Sequence, residues 1–275
     1  MSEFVIPCPP QSALPVADSD KKFPVRRIWC VGRNYADHAR EMGHDPDREP
    51  PFFFSKPTDA IVSSDSVLAF PSMTSNLHHE VELVVAIGVG GKEIDSESAL
   101  EHVWGYGVGI DMTRRDLQAQ AKKLQRPWAM GKGFDQSAPV SALRSVSEIG
   151  HPSEGRIWLK VNDEIRQDGN LNMQIWNVGE TISHLSAFVE LGAGDLLMTG
   201  TPAGVGPCNA GDTLEGVIEG IGRVTVSYVD ELSRASADVT ASRGQFVTVA
   251  QWTPRHICES RFVCAFLFPW NFDRE

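Results

Sequence analysis

Glu80-Val81-Glu82 places two carboxylates two residues apart in a segment of strand-like alternation. Residues i and i+2 of a strand point the same way, so these two carboxylates stand side by side, about 7 Å apart by strand rise. Their face runs His78, Glu80, Glu82, Val84, Ala86, and the opposite face runs Leu77, Val81, Leu83, Val85, Ile87. Two acids beside a dry surface repel each other unless a cation lies between them; the same spacing also suits a solvated strand end. Asp111 follows the apolar run Val108-Gly109-Ile110 and suits either a ligand or a turn or capping role. Three carboxylates from two strands favour a hard divalent cation, Mg2+ or Mn2+. Zinc fits less well, because His78-His79 lacks the HExxH spacing and no cysteine lies near these acids in sequence. Both histidines therefore read as structural.

His38 and Glu41 are three apart and share a helical polar stripe with Asn34. A carboxylate so placed can orient an imidazole and raise its basicity, which makes a general-base dyad. The competing reading is a surface helix laced with charge pairs, since Asp37 and Arg40 are also within reach. Lys132 lies between two glycines in Trp128-Ala129-Met130-Gly131-Lys132-Gly133-Phe134, as either a pocket-facing cation or a loop lysine. The glycines of residues 199–206 permit tight turns and close backbone approach. No GKS or GKT follows them, and no GxSxG elbow occurs, so a P-loop and an α/β-hydrolase nucleophile are excluded.

These residues need elements to hold them. Periodicity predicts strands at 27–31, 52–54, from 77, at 103–110, 156–161, 196–199 and 224–228, with a turn at Asn162-Asp163. Helices are expected over 34–42 (Tyr35, Ala39, Met42 apolar), 113–124 (Leu117, Ala121, Leu124 apolar) and 175–191. Thr113 with Asp116 resembles a capping box, and Gly192 a C-cap. Residues 43–51 read as a loop. The result is a β-rich α+β domain over about 25–229, with an extended arm at 1–24 and an atypical tail at 230–275. At 275 residues, folding can bury about three quarters of the chain's surface without disulfide staples. A net charge of −11 argues against a nucleic-acid partner, so an anion must be bound through a local cationic pocket or a metal. The odd set Cys8, Cys30, Cys208, Cys258 and Cys264, with no CxxC, fits a reducing compartment. No secretory signal or membrane-length apolar segment is seen, so a cytoplasmic protein with no membrane partner is expected.

Taken in order, VGRNYADHAREMG, FFFSKP, NLHHEVELVV, GYGVGIDMTRRDLQ, PWAMGKGFD, IWLKVNDEIRQDG and GDLLMTGTPAGVG closely resemble the fumarylacetoacetate hydrolase family, in its acylpyruvate-hydrolase branch. The resemblance spans roughly 25–229 and implies a mixed β-sandwich roll with a short lid helix, and a homodimer. It implies a Mg2+ or Mn2+ site at Glu80, Glu82 and Asp111, a water-activating dyad of His38 and Glu41, and Lys132 beside the reacting carbonyl. Arg33, Arg115, Gln118 and Thr201 become substrate contacts, with Arg33 or Arg115 facing a distal carboxylate. The implied activity is cleavage of a carbon–carbon bond in an acylpyruvate, with fumarylpyruvate of gentisate breakdown as the expected 2-oxo acid substrate. Oxaloacetate decarboxylation, or dienoate isomerisation or hydration, is the alternative from the same site. A non-catalytic binder of metal and 2-oxo acids is disfavoured by the intact set of candidate groups.

Overall fold

Strand Val81–Ile87 is apolar along nearly its whole length because both of its faces are buried. Its period-two alternation divides the interior into two cores. Leu83, Val85 and Ile87 join Ile157, Leu159 and Leu214 in one; Val84 and Ala86 join Cys30, Met198 and Leu143 in the other. Glu80 and Glu82 lie on the same side as Val84 and Ala86, at the end where the strand breaks from the short strand Leu77–His79.

The computed structural model describes residues 4–41 and 49–230. Strand Val81–Ile87 is central to a mixed sheet of eight strands. On one side follow Asp195–Met198, Arg27–Gly32 and Phe52–Lys56; on the other, Val103–Ile110, Ala138–Val140 and Ile61–Ser63, with Arg144–Ser145 also paired to Val103–Ile110. Asp195–Met198 runs parallel to Arg27–Gly32 and Ala138–Val140 parallel to Ile61–Ser63, while the other pairs are antiparallel. A second, five-stranded sheet orders Glu164–Asn170, Arg156–Val161, Thr213–Ile218, Gly222–Val229 and Ser66–Ala69. It packs its inner residues against the first core cluster, giving the expected β-rich roll. A three-stranded patch, Thr113–Arg114, Leu77–His79 and Gly206–Cys208, closes one end beside the acids.

The predicted turn at Asn162-Asp163 is present between strands Arg156–Val161 and Glu164–Asn170. The expected arm carries a two-stranded ribbon, Ala13–Pro15 with Lys22–Pro24, whose Leu14 and Phe23 are buried in the second core. The long helix expected over 175–191 is shorter, Val178–Phe188. Asn177 caps it: its side chain accepts from Glu180 N while its own N–H donates to Glu180 Oε2, both at 3.0 Å. Ile175 is excluded because its N–H donates to Asn34 O instead. Gly192 is not the C-cap: Val189 ends the helix, and the Gly192 N–H goes to Asp195 Oδ2. The capping box at Thr113 is also absent. Thr113 lies in a strand and donates to Asp111 O, and Asp116 accepts from Thr74 and Ser75. Helix Arg115–Lys123 accordingly starts two residues late. Helix Ala36–Glu41 replaces the expected 34–42. Met42, residues 43–48 of the expected loop, the tail from 231, and Cys258 and Cys264 lie outside the described residues. Cys8, Cys30 and Cys208 are free thiols. Among the described residues, no helix is long and apolar enough to cross a membrane.

One buried side chain links the two sheets at the site. Gln167 accepts from His79 Nδ1 (3.0 Å) and Val81 N (3.1 Å), and donates to Thr201 Oγ1 (2.8 Å) and Pro202 O (2.9 Å). Gln167→Leu would keep the volume and strand all four partners, so a loss of about 3 kcal/mol or more is expected in urea unfolding. An unchanged midpoint would contradict this account of how the sheets are joined.

Candidate active site and metal centre

Glu80, Glu82 and Asp111 each place a carboxylate oxygen within 4.8 Å of the other two, and all three residues are buried. Backbone pairing makes this possible: Asp111 N donates to Glu80 O at 2.8 Å, extending the antiparallel match of Val81 with Ile110 by one residue. Three cations face the acids. Lys132 Nζ lies 2.7 Å from Glu80 Oε2 and 2.6 Å from Asp111 Oδ2. Lys56 Nζ lies 2.8 Å from Asp111 Oδ1, and the Arg115 guanidinium pairs with Glu80. Lys132 comes from the short helix Ala129–Lys132, and Lys56 donates to its carbonyl oxygen, so one buried lysine holds the other in place.

The electrostatics separate the two glutamates. Burial alone would raise the Glu80 carboxyl, but Lys132 and Arg115 override it and hold it well below the usual carboxylate range. Burial, then the charges of Asp111 and Glu80, pushes Glu82 well above that range. Burial would lower the Lys132 ammonium, yet Asp111 and Glu80 raise it above its ordinary value. Glu82 makes no ion pair among the described residues, although it accepts the Gly200 N–H at 2.8 Å. Asp111 Oδ1 meets the Lys56 ammonium at 2.8 Å and has no other polar partner among the described residues. An oxygen-only donor set with one carboxylate that no side-chain cation pairs fits Mg2+ or Mn2+.

The other predicted residues converge on one cleft, lined by Arg33, His38, Glu80, Glu82, Arg115, Gln118, Lys132 and Thr201, among others. His38 Nδ1 lies 3.4 Å from Glu41 Oε2, as the spacing suggested. The Gly204 N–H donates to that carboxylate at 3.1 Å, anchoring the dyad to the glycine-rich segment. Burial lowers the His38 imidazole below its ordinary 6.5, against the pull of Glu80 and Glu41. It is therefore neutral at pH 7 and able to accept a proton. Asn34 locks the start of the helix: its side chain donates to Trp176 O and Thr199 O and accepts from Trp176 N. Two glycines permit the close approaches. Gly200 has φ 93° and a Cβ there would meet Asn34 Cβ at 2.7 Å; a Cβ on Gly32 would meet the Phe52 ring at 2.0 Å.

Arg115 is engaged by Glu80, Gln118 Oε1 (2.7 Å) and His78 Nδ1 (3.3 Å). His78 and His79 are structural, bonded to Asn76 and Gln167. Burial and the Arg115 charge push the His78 imidazole down to about 4. Lys56 lies beyond the strand that periodicity predicts over 52–54. The strand continues to Lys56, so period two places Phe52, Phe54 and Lys56 on one face toward the site. Lys122 lies off the Leu117–Ala121–Leu124 stripe on which the helix is predicted. Gln118 is the buried residue of that helix, and Leu124 is exposed.

The profile of the fumarylacetoacetate (FAA) hydrolase C-terminal family matches residues 27–228. A fumarylpyruvate hydrolase from Pseudomonas aeruginosa, solved in complex with Mn2+ and pyruvate, is 52% identical. The match covers 83% of this chain and 100% of that chain, with a TM-score of 0.81. The mitochondrial oxaloacetate tautomerase FAHD1 of Mus musculus is 42% identical, over 72% of this chain and 92% of that protein. The mitochondrial oxaloacetate decarboxylase of Dictyostelium discoideum is 41% identical, over 71% of this chain and 90% of its own.

Replacing Glu82 with Gln removes the one carboxylate that no side-chain cation pairs. Mn2+ affinity, read from the free-ion signal in electron paramagnetic resonance, should fall by more than about tenfold. Undiminished binding would remove Glu82 from the metal site.

Proposed function

The chain belongs to the fumarylacetoacetate hydrolase family, and from that premise we propose that it cleaves an acylpyruvate, a 2,4-dioxo acid, between carbons 3 and 4. Fumarylpyruvate is the substrate of this reading, giving fumarate and pyruvate in the breakdown of aromatic compounds such as gentisate. What carries it is one cleft that joins a carboxylate triad to a neutral histidine held by its own carboxylate. The 52% identity to a fumarylpyruvate hydrolase supports the choice of acyl group. The reading includes the homodimer that the family resemblance implies.

Glu80, Glu82 and Asp111 would hold Mg2+ or Mn2+, which supplies Lewis-acid polarisation of the 2-oxo acid end when bound. Glu41 keeps His38 Nδ1 occupied, leaving Nε2 to take a proton from water. The water oxygen bonds to the 4-oxo carbon, whose carbonyl oxygen gains negative charge, and the Lys132 ammonium stabilises that charge. The carbon 3–carbon 4 bond then breaks. Its electron pair leaves with the three-carbon fragment, which takes a proton to become pyruvate; the carboxylic acid is the second product. Gln118 and Thr201 line the walls and orient the substrate.

A second reading, oxaloacetate as the substrate, is favoured by the tautomerase and decarboxylase relatives. An ultraviolet assay with Mg2+ or Mn2+, comparing fumarylpyruvate, acetylpyruvate and oxaloacetate, separates the two. The expected outcome is metal-dependent loss of fumarylpyruvate, abolished by chelator, with kcat reduced about 10²- to 10⁴-fold in His38→Gln. Turnover of oxaloacetate alone, or full hydrolysis by His38→Gln, would overturn the reading.

A further inference from the structure

Arg115 and Gln118 on helix Arg115–Lys123 face the cleft, and Lys122 repeats their stripe at i+7 and i+4. Seven residues of helix put Lys122 about 10 Å from Arg115 along the axis, and so two turns away from the acidic centre that Arg115 contacts. At this outer end the cleft changes character. Its walls are the rings of Phe52 and Trp128, edge to face at 5.4 Å. A cation lies over each ring: the Arg33 guanidinium 5.4 Å from Phe52, and Lys122 Nζ 5.0 Å from Trp128. Arg33 is presented there by a left-handed backbone (φ 60°), a conformation that costs energy for a non-glycine residue. Neither cation has an ion-pair partner among the described residues, in contrast to Lys56, Lys132 and Arg115. Burial lowers the Lys122 ammonium, and the charges of Arg115 and Arg33 lower it further, against the weaker pull of Glu80.

We infer that Lys122 and Arg33 form an anion subsite for the distal carboxylate of the substrate's acyl chain, with Phe52 and Trp128 flanking the planar chain between this subsite and the acidic centre. The inference rests on the acylpyruvate reading and deepens it, by making Lys122 a specificity-determining residue that selects acyl chains ending in a carboxylate. It also removes Arg115 from that role, since its guanidinium is already committed to Glu80, Gln118 and His78. A conjugated dicarboxylate reaches the outer cations, whereas an acyl group that ends in a methyl gains nothing from them. Two cations held near each other, neither with an ion-pair partner among the described residues, repel, and an incoming carboxylate relieves that repulsion.

The test compares kcat/KM for fumarylpyruvate and acetylpyruvate in the wild type, Lys122→Gln and Lys122→Arg. The ratio of the two values should fall about tenfold or more in Lys122→Gln and be largely restored in Lys122→Arg. A ratio unchanged in Lys122→Gln would overturn the subsite, because a merely structural role would weaken both substrates together. Should the wild type turn over neither dioxo acid, the acylpyruvate reading fails, and calorimetry with fumarate and crotonate still decides the subsite. Tighter binding of fumarate than of crotonate, with the difference lost in Lys122→Gln, supports it; equal binding of the two acids by the wild type overturns it.

Discussion

The mutual repulsion of Glu80, Glu82 and Asp111, packed within 4.8 Å of one another and almost out of reach of water, is the constraint around which the rest of the molecule is arranged. Charges in such a setting persist only where other charges and hydrogen bonds compensate them. Lys56, Lys132 and Arg115 supply the charges, from a strand, a short helix and a longer helix that are remote in sequence. The compensation is uneven. Glu80 is held ionised by two cations, whereas Glu82 is left to a single backbone N–H. That imbalance makes the cluster a receptor for a small hard cation rather than a closed salt-bridge network.

The fold follows from the same demand. A strand with one face of acids and two apolar cores behind it has to be central, so Val81–Ile87 is flanked by sheet partners and covered by a second sheet. The acids sit at the end of this strand, where the Asp111 N–H bonded to Glu80 O brings the third carboxylate alongside the other two. Gln167 reaches across from the second sheet to accept the Val81 N–H and to fix Thr201. The His38–Glu41 helix is tied to the opposite rim through Asn34 and Gly204. The site is therefore rigid on the acidic side, while its proton-accepting side is carried on one short, separately anchored helix.

Much of this was legible in the sequence, for local reasons. Period two put Glu80 and Glu82 on one face, the end of an apolar run marked Asp111, and helical spacing paired His38 with Glu41. What escaped was set by tertiary context. Lys56 escaped because the apolar run Phe52-Phe53-Phe54 carries no alternation in its residue types, although the strand extends to Lys56 and turns it inward. The helix after Thr113 has an apolar stripe in sequence, yet its polar stripe is the one that turns inward, because the neighbouring surface is a charged cleft and not a hydrophobic core. Its predicted cap failed for a related reason: Thr113 is recruited by the strand that completes the acidic end. Gln167 had no local signal, since its four partners lie on three other segments.

The most direct test of the account is anomalous diffraction at the manganese edge from crystals soaked with Mn2+ and oxalate, a planar mimic of the pyruvate enolate. The account predicts one strong peak coordinated by Glu80, Glu82 and Asp111, with oxalate beside it on the His38 side of the cleft. A manganese peak elsewhere, with Glu80 and Asp111 still paired only to Lys56, Lys132 and Arg115, would contradict it.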